Sequence, residues 1–243
     1  MVTKKEQGGD GGPPSRRRGR PPGRTAAGEA TRKALFDAAI ELMDERGYDG
    51  TTLRDVAARA GVGHPVLYRY FPSKSALLAA LYDRLSADFE RGTTLEPGSW
   101  RRRARTALDG SLASLRPHRS ALRSALGVLV STSEMGLFGE GTRASRARVQ
   151  GVFLDAVAGA RDAPRGARAP ALGRLVDLAH LGVVLFWLLD GSREQRATEA
   201  LLAAIDRALP LVSAALKIPG AWALLERVDR AVVDGLGPEP AQA

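Results

Sequence analysis

Residues 51–71 read TTLRDVAARAGVGHPVLYRYF, and the fold follows from this stretch. Thr52 precedes an apolar run and Asp55 follows three positions later, the pattern of a capped helix start. Leu53, Val56, Ala57 and Ala60 recur at helical spacing and Gly61 stops the run. Beyond Val62 and Gly63 the spacing predicts a second short helix from His64 to about Phe71, where Pro72 ends it. Pro65 falls in the first turn of that helix, where a missing N–H forfeits no helical bond. Two short helices joined by a tight glycine-containing turn cannot bury themselves, and they pack at a steep angle on a third. That is a helix-turn-helix arrangement.

The third helix lies upstream. Leu35, Ala38, Ala39, Leu42 and Met43 repeat at helical spacing across Ala30–Arg46, and Gly47 is a natural C-terminal stop. Downstream, Ser73 can cap a fourth helix with Leu77, Leu78, Leu81, Leu85 and Phe89 on its apolar face. In such a module the second helix of the pair enters the major groove and its first residues reach base edges. His64 and Pro65 stand there, unless they only start the helix. Leu67 and Phe71, four apart, belong to the core. Thr52 is a capping residue first, and its hydroxyl can also face a DNA backbone. Lys74 begins the fourth helix, where ammonium and helix N-terminus together can meet a phosphate; the alternative is an ordinary solvated lysine.

Gly47–Tyr48, Thr51–Ala57, Ala60–Gly61–Val62, Leu67–Phe71 and Ser73–Lys74, followed by Leu77–Leu78, resemble the N-terminal domain of the TetR/AcrR family of regulators over about fifty residues. The resemblance implies a transcriptional repressor: an Ω-shaped homodimer, cytoplasmic, with a helical ligand-binding domain, released from a palindromic operator on double-stranded DNA by a small-molecule effector. It also implies that Tyr68 contacts DNA and that Tyr70 touches phosphate, although a half-buried core tyrosine suits position 70 equally. Family members often carry Ser or Thr where Gly63 stands, at the DNA-facing start of the second helix, and glycine is an acceptable but weaker cap.

The charge is uneven. The 243-residue chain has a formal net charge of +9, which favours a polyanionic partner. Residues 1–28 read as a disordered basic arm, with Lys4, Lys5, Arg16, Arg17, Arg18, Arg20 and Arg24 against Glu6 and Asp10 before the first helix. Within it Arg18–Gly19–Arg20–Pro21 is similar to the core of an AT-hook, and Arg18 and Arg20 can lie in a narrow A·T-rich minor groove. A generic phosphate-attracting tail is the alternative. No hydrophobic stretch follows these charges, so a secretory signal is not expected. The chain has no cysteine, which excludes disulfides, thiolate metal sites and a cysteine nucleophile, and fits a reducing compartment.

The expected class is all-α, with a three-helix DNA-binding domain over residues 29–75, a helical regulatory and dimerisation domain over 76–236, and a flexible tail over 237–243. Leu172–Asp190 and Glu194–Lys217 are the most apolar helices; the first is apolar nearly all round and needs cover on both sides, from the core and from a second copy. Its most apolar part, Leu178–Leu189, is too short for a bilayer, which takes roughly twenty residues. Leu112, Leu126, Val130, Phe153 and Val157 are candidates to enclose a ligand pocket with His180 as its polar anchor, although the same residues would make an ordinary core. His64, His118 and His180 lie in separate segments without metal-ligand spacing, and no nucleophile–base pair is evident, so neither metal, cofactor nor catalysis is expected. Two rival readings are a helical enzyme or carrier, and a DNA- or RNA-coating protein acting through charge alone.

Deleting Met1–Gly23 is expected to weaken DNA binding and to flatten its salt dependence, by about one unit of log–log slope for each phosphate that the arm neutralises. Half-site sequence and dimerisation should be unchanged. Unaltered affinity at low salt would remove the arm from DNA binding.

Overall fold

The computed structural model describes residues 25–236, so Arg18 and Arg20 of the arm and the tail over 237–243 lie outside the described residues. These residues form α-helices with short 3-10 turns and no strand. The all-α expectation holds.

Helix α1 (Ala26–Gly50) starts where the Thr25 hydroxyl accepts the Gly28 N–H at 3.1 Å, inside the stretch assigned to the arm. At Gly47 the backbone turns to φ 75, a left-handed conformation that glycine adopts without a Cβ penalty, and the regular helix breaks there. Helix α2 (Leu53–Arg59) is capped by Thr52, whose Oγ1 accepts the Asp55 N–H at 3.2 Å and donates to the Asp55 carboxylate at 2.8 Å. Gly61, at φ 67, makes the turn into α3 (His64–Tyr70), and Ser73 caps α4 (Lys74–Gly92). Leu35, Leu42 and Met43 of α1 share one core with Val56, Leu67, Phe71, Leu77 and Leu81. Each fully buried side chain of this kind stabilises the module by about 1.5–3 kcal/mol.

The chain continues through α5 (Trp100–Leu115), α6 (Arg119–Ser124), α7 (Leu126–Leu129), α8 (Arg143–Ala158), α9 (Arg168–Leu189), α10 (Arg196–Ala215) and α11 (Ala221–Leu236). The apolar pattern suggests one helix over Ser120–Val130; the structure breaks it at Ala125, separating α6 from α7. The Pro164–Pro170 loop is shorter than expected, because α9 begins at Arg168 and takes Pro170 into its first turn. Helices α8 and α9 pack closely because Gly173 has no side chain: a Cβ there would stand 3.0 Å from the Leu154 Cα. The Arg103 guanidinium donates to the carbonyls of Asp155 and Ala156 at the end of α8 and of Leu95 and Glu96 in the loop before α5, tying that loop to the helix end.

Helix α9 is long and apolar enough to cross a membrane by length and composition, which the short run Leu178–Leu189 alone does not suggest. Its middle carries Arg174, Asp177 and His180, and α8 and α11 pack against it. Leu185, Phe186 and Leu189 of α9, Leu211 and Val212 of α10, and Leu224 and Val228 of α11 remain exposed apolar side chains.

Between α9 and α10, Glu194 and Gln195 both adopt positive φ, at 55 and 59, a costly conformation for non-glycine residues. Asp190 holds this turn: its carboxylate accepts the Thr198 N–H at 2.9 Å, the Thr198 hydroxyl at 2.7 Å and the Ser192 N–H at 2.8 Å. The hydrogen bonds from Thr198 and then Ser192 keep its carboxyl well below the usual carboxylate range. A carboxyl depressed in the folded state contributes stability above its unfolded pKa and loses it as pH falls towards the folded one. Asp190→Asn is therefore expected to destabilise the chain at neutral pH, with the gap to wild type narrowing once pH drops below about 4. Urea unfolding across pH checks this; a gap independent of pH would contradict it.

Candidate nucleic-acid surface and ligand cavity

Helix α3 is two-sided. Leu67 is fully buried and Tyr70 packs half-buried on the same core. His64, Pro65, Tyr68 and Arg69 are exposed. The His64 and Tyr68 rings meet edge to face with centroids 5.0 Å apart, which braces the two side chains against each other one turn apart. Gly63 occupies the N-cap position without a side-chain hydrogen bond, as a glycine must, and Thr52 is exposed beside its own helix start. Arg54 and Arg69 are exposed and make no ion pair among the described residues, whereas Arg59 is committed to Glu45 and Glu41. Sequence reasoning passed over both free arginines; their only mark is a place inside the motif.

Lys74 is half-buried at the start of α4. Its ammonium donates to the Tyr48 carbonyl at 2.9 Å and lies 4.2 Å from the centre of the Tyr48 ring. The Tyr48 N–H in turn donates to Ser124 Oγ at 2.7 Å, and the Asp44 carboxylate accepts the Ala121 N–H at 3.0 Å. Lys74 thus buttresses the end of α1, and α1 and α6 cap one another.

A cavity of about 390 Å³ opens behind α6, between α4, α5, α7 and α9. Leu122, Leu126, Leu129 and Val130 form one wall, Leu178, Leu181, Leu185 and Leu188 another, and Tyr82, Leu85 and Phe89 a third. Burial, aided by the charge of Asp177, pushes the Tyr82 hydroxyl above its usual pKa and keeps it neutral. Of the expected lining residues, Leu126, Val130 and His180 reach this cavity. Leu112, Phe153 and Val157 do not: Leu112 joins the core shared with α1, Phe153 is fully buried with Phe89 and Val149, and Val157 packs on Trp100 and Leu172. On α5 the cavity receives Ser111, one position and about 100° of helix rotation from Leu112.

Ser111 Oγ lies 2.7 Å from His180 Nε2, and His180 Nδ1 lies 3.5 Å from Asp177 Oδ1. The structure therefore assembles a serine–histidine pair that the sequence did not reveal, with a carboxylate nearby that is not hydrogen-bonded to the ring. Ser111 sits inside α5, where backbone N–H groups are consumed by the helix, so the trio lacks the donor pair that acyl transfer needs. All three side chains are buried, and the His180 ring stacks on Phe153 with ring centroids 4.5 Å apart. A second cavity of about 270 Å³ adjoins the first and is lined by Arg146, Gln150, Arg174 and Asp177. No cluster of metal-ligating side chains occurs among the described residues.

Residues 35–81 match the family described as bacterial regulatory proteins, tetR family. The chain is 35% identical over 100 residues to the HTH-type transcriptional repressor DrrR1 of Streptomyces coeruleorubidus, covering 41% of this chain and 37% of that protein. It is 46% identical over 50 residues to the tetracycline repressor protein class D of Escherichia coli, covering 21% and 23% respectively. The chain thus spans well under half the length of these curated relatives. A solved tetR-family transcriptional regulator from Streptomyces coelicolor superposes with a TM-score of 0.58 over 85% of this chain and 98% of its own, at 20% identity, a likeness of fold.

Proposed function

This chain belongs, through its N-terminal domain, to the tetR family of bacterial regulatory proteins, and from that membership we propose that it is a cytoplasmic, homodimeric transcriptional repressor which a small-molecule effector releases from a palindromic operator. The observation that carries the reading is the exposed face of α3. His64, Pro65 and Tyr68 stand free on a helix whose other face is anchored by fully buried Leu67. Arg54 and Arg69 flank that face as unpaired cations suited to phosphates.

In this reading residues 29–75 bind DNA, residues 76–236 sense the effector and dimerise, and the basic arm over 1–28 follows the minor groove. The protein acts by binding and has no turnover of its own. Two copies meet through the apolar side chains left exposed on α9 and α10, including Phe186, Leu189, Leu211 and Val212, in a two-fold four-helix arrangement. Dimeric helix-turn-helix proteins bind half-sites spaced about one helical turn, roughly 34 Å, or multiples of it. An effector in the larger cavity presses on Leu122 and Leu126 and so on α6, which the Asp44 and Ser124 hydrogen bonds join to the end of α1.

Selection from random DNA, with sedimentation of the same proteins, tests the proposal. Wild type should select a palindrome. His64→Ala should change the preferred half-site at a cost of about 1–3 kcal/mol on the original one, and Tyr68→Ala should weaken binding broadly. Val212→Glu should yield monomers that no longer bind; Val212 suits this better than Leu185, which also lines the cavity. A wild-type protein with no preferred sequence and uniform salt sensitivity would be a charge-driven coat instead.

A further inference from the structure

We infer that the effector is an amphiphile with a hydrocarbon body and an anionic head, the body filling the larger cavity and the head, a carboxylate or a phosphate, pairing with Arg146. The inference rests on the regulator reading and assigns the chemistry of its effector. The larger cavity suits hydrocarbon: Leu126, Leu129, Val149, Leu181, Leu185 and Leu188 dominate its wall. A wholly apolar ligand would leave the neighbouring polar cavity unused, and that cavity contains an unsatisfied cation.

Arg146 Nη1 is buried without a hydrogen-bond partner, and the side chain makes no ion pair among the described residues. Its guanidinium rests 5.2 Å from the centre of the Phe138 ring. Its polar neighbours differ in how far they are engaged. Arg174 is held by Asp229 through two bonds of 2.7 and 2.6 Å. Gln150 donates to one Asp177 oxygen at 3.5 Å, while the other Asp177 oxygen lies 3.5 Å from His180 Nδ1 and neither of those two atoms has a hydrogen-bond partner. Asp177 has Gln150 and His180 for neighbours, whereas no carboxylate among the described residues lies within ion-pair distance of Arg146. A guanidinium with one nitrogen buried and unused is costly, and an anion presenting two acceptor oxygens satisfies charge and donors together. A cationic or purely donating head would leave Arg146 as it is.

The two cavities share a wall made by Phe138, Leu178, Leu181 and Leu236. Phe138 and Leu236 are 43% and 39% exposed, so this wall reaches the surface beside the end of α11. A ligand lying across it places a head at Arg146 and a chain towards α6 and α7.

Calorimetric titration of the full chain without DNA tests this, with dodecanoate, dodecyl phosphate and dodecanol as probes. Wild type should bind at least one anion roughly tenfold or more tighter than the alcohol, and the tighter of the two identifies the head group. Arg146→Met should bind all three at the affinity of the alcohol, while Arg146→Lys should recover part of the preference. Equal affinity of wild type for anion and alcohol, absence of binding by all three, or a preference that survives Arg146→Met would overturn the assignment. Operator binding is read separately on the same preparations. A protein that binds its operator but lacks the preference refutes the head-group assignment alone, whereas preference without an operator supports it and counts against the regulator reading.

Discussion

The reciprocal capping of α1 and α6 is the constraint on which the rest of the structure depends. Asp44, near the end of α1, accepts the N–H of Ala121 in the first turn of α6, and Ser124, at the end of α6, accepts the N–H of Tyr48 just past Gly47. Both bonds satisfy donors that helix ends cannot satisfy alone. Gly47 permits the approach, because its left-handed backbone brings the Tyr48 N–H round to Ser124 and a Cβ at that position would already touch the Ser124 Cβ at 3.4 Å. Lys74 locks the same corner from α4 through the Tyr48 carbonyl. One continuous core then runs from Val56 and Leu67 in the helix-turn-helix to Leu122, Trp187 and Leu188 beside the cavity.

This arrangement makes α6 a lever between two surfaces. On its far side Arg119 donates to the carbonyls of Trp187 and Asp190 at the end of α9 and lies against the Trp187 ring, so α6 is clamped to α9 as firmly as to α1. Packed cores respond to an added group by shifting between discrete arrangements rather than by deforming smoothly. A ligand changes the DNA-binding state only to the extent that it binds one arrangement better than the other. The proposed effector gains that difference where its body meets Leu122 and Leu126, and orientation where its head meets Arg146.

The N-terminal module was largely legible in the sequence because its determinants are local. Thr52 with Asp55, Gly61, Pro65 and Ser73 each state their role within four residues of themselves, and the structure places them as read. Roles fixed by distant partners were not legible. The ammonium of Lys74 meets a carbonyl 26 positions away, and Ser111 and His180 are 69 positions apart. The cavity wall failed for a related reason. Apolar periodicity identifies which face of α5 is buried but not which neighbour covers it, so Leu112 was chosen where Ser111 faces the space. Arg146 gave no local sign, since an arginine in a basic helix reads as solvated until its surroundings are seen.

The claim that α6 transmits cavity occupancy to α1 is tested most directly by filling the cavity without a ligand. Leu126→Trp places an indole against α6, and operator affinity is then measured in the wild-type background and in one carrying Asp44→Ala with Ser124→Ala. The account predicts that the tryptophan weakens operator binding by about fivefold or more when the α1–α6 bonds are intact, within the usual range of coupling between sites, and by little once they are removed. An equal loss in both backgrounds would contradict it.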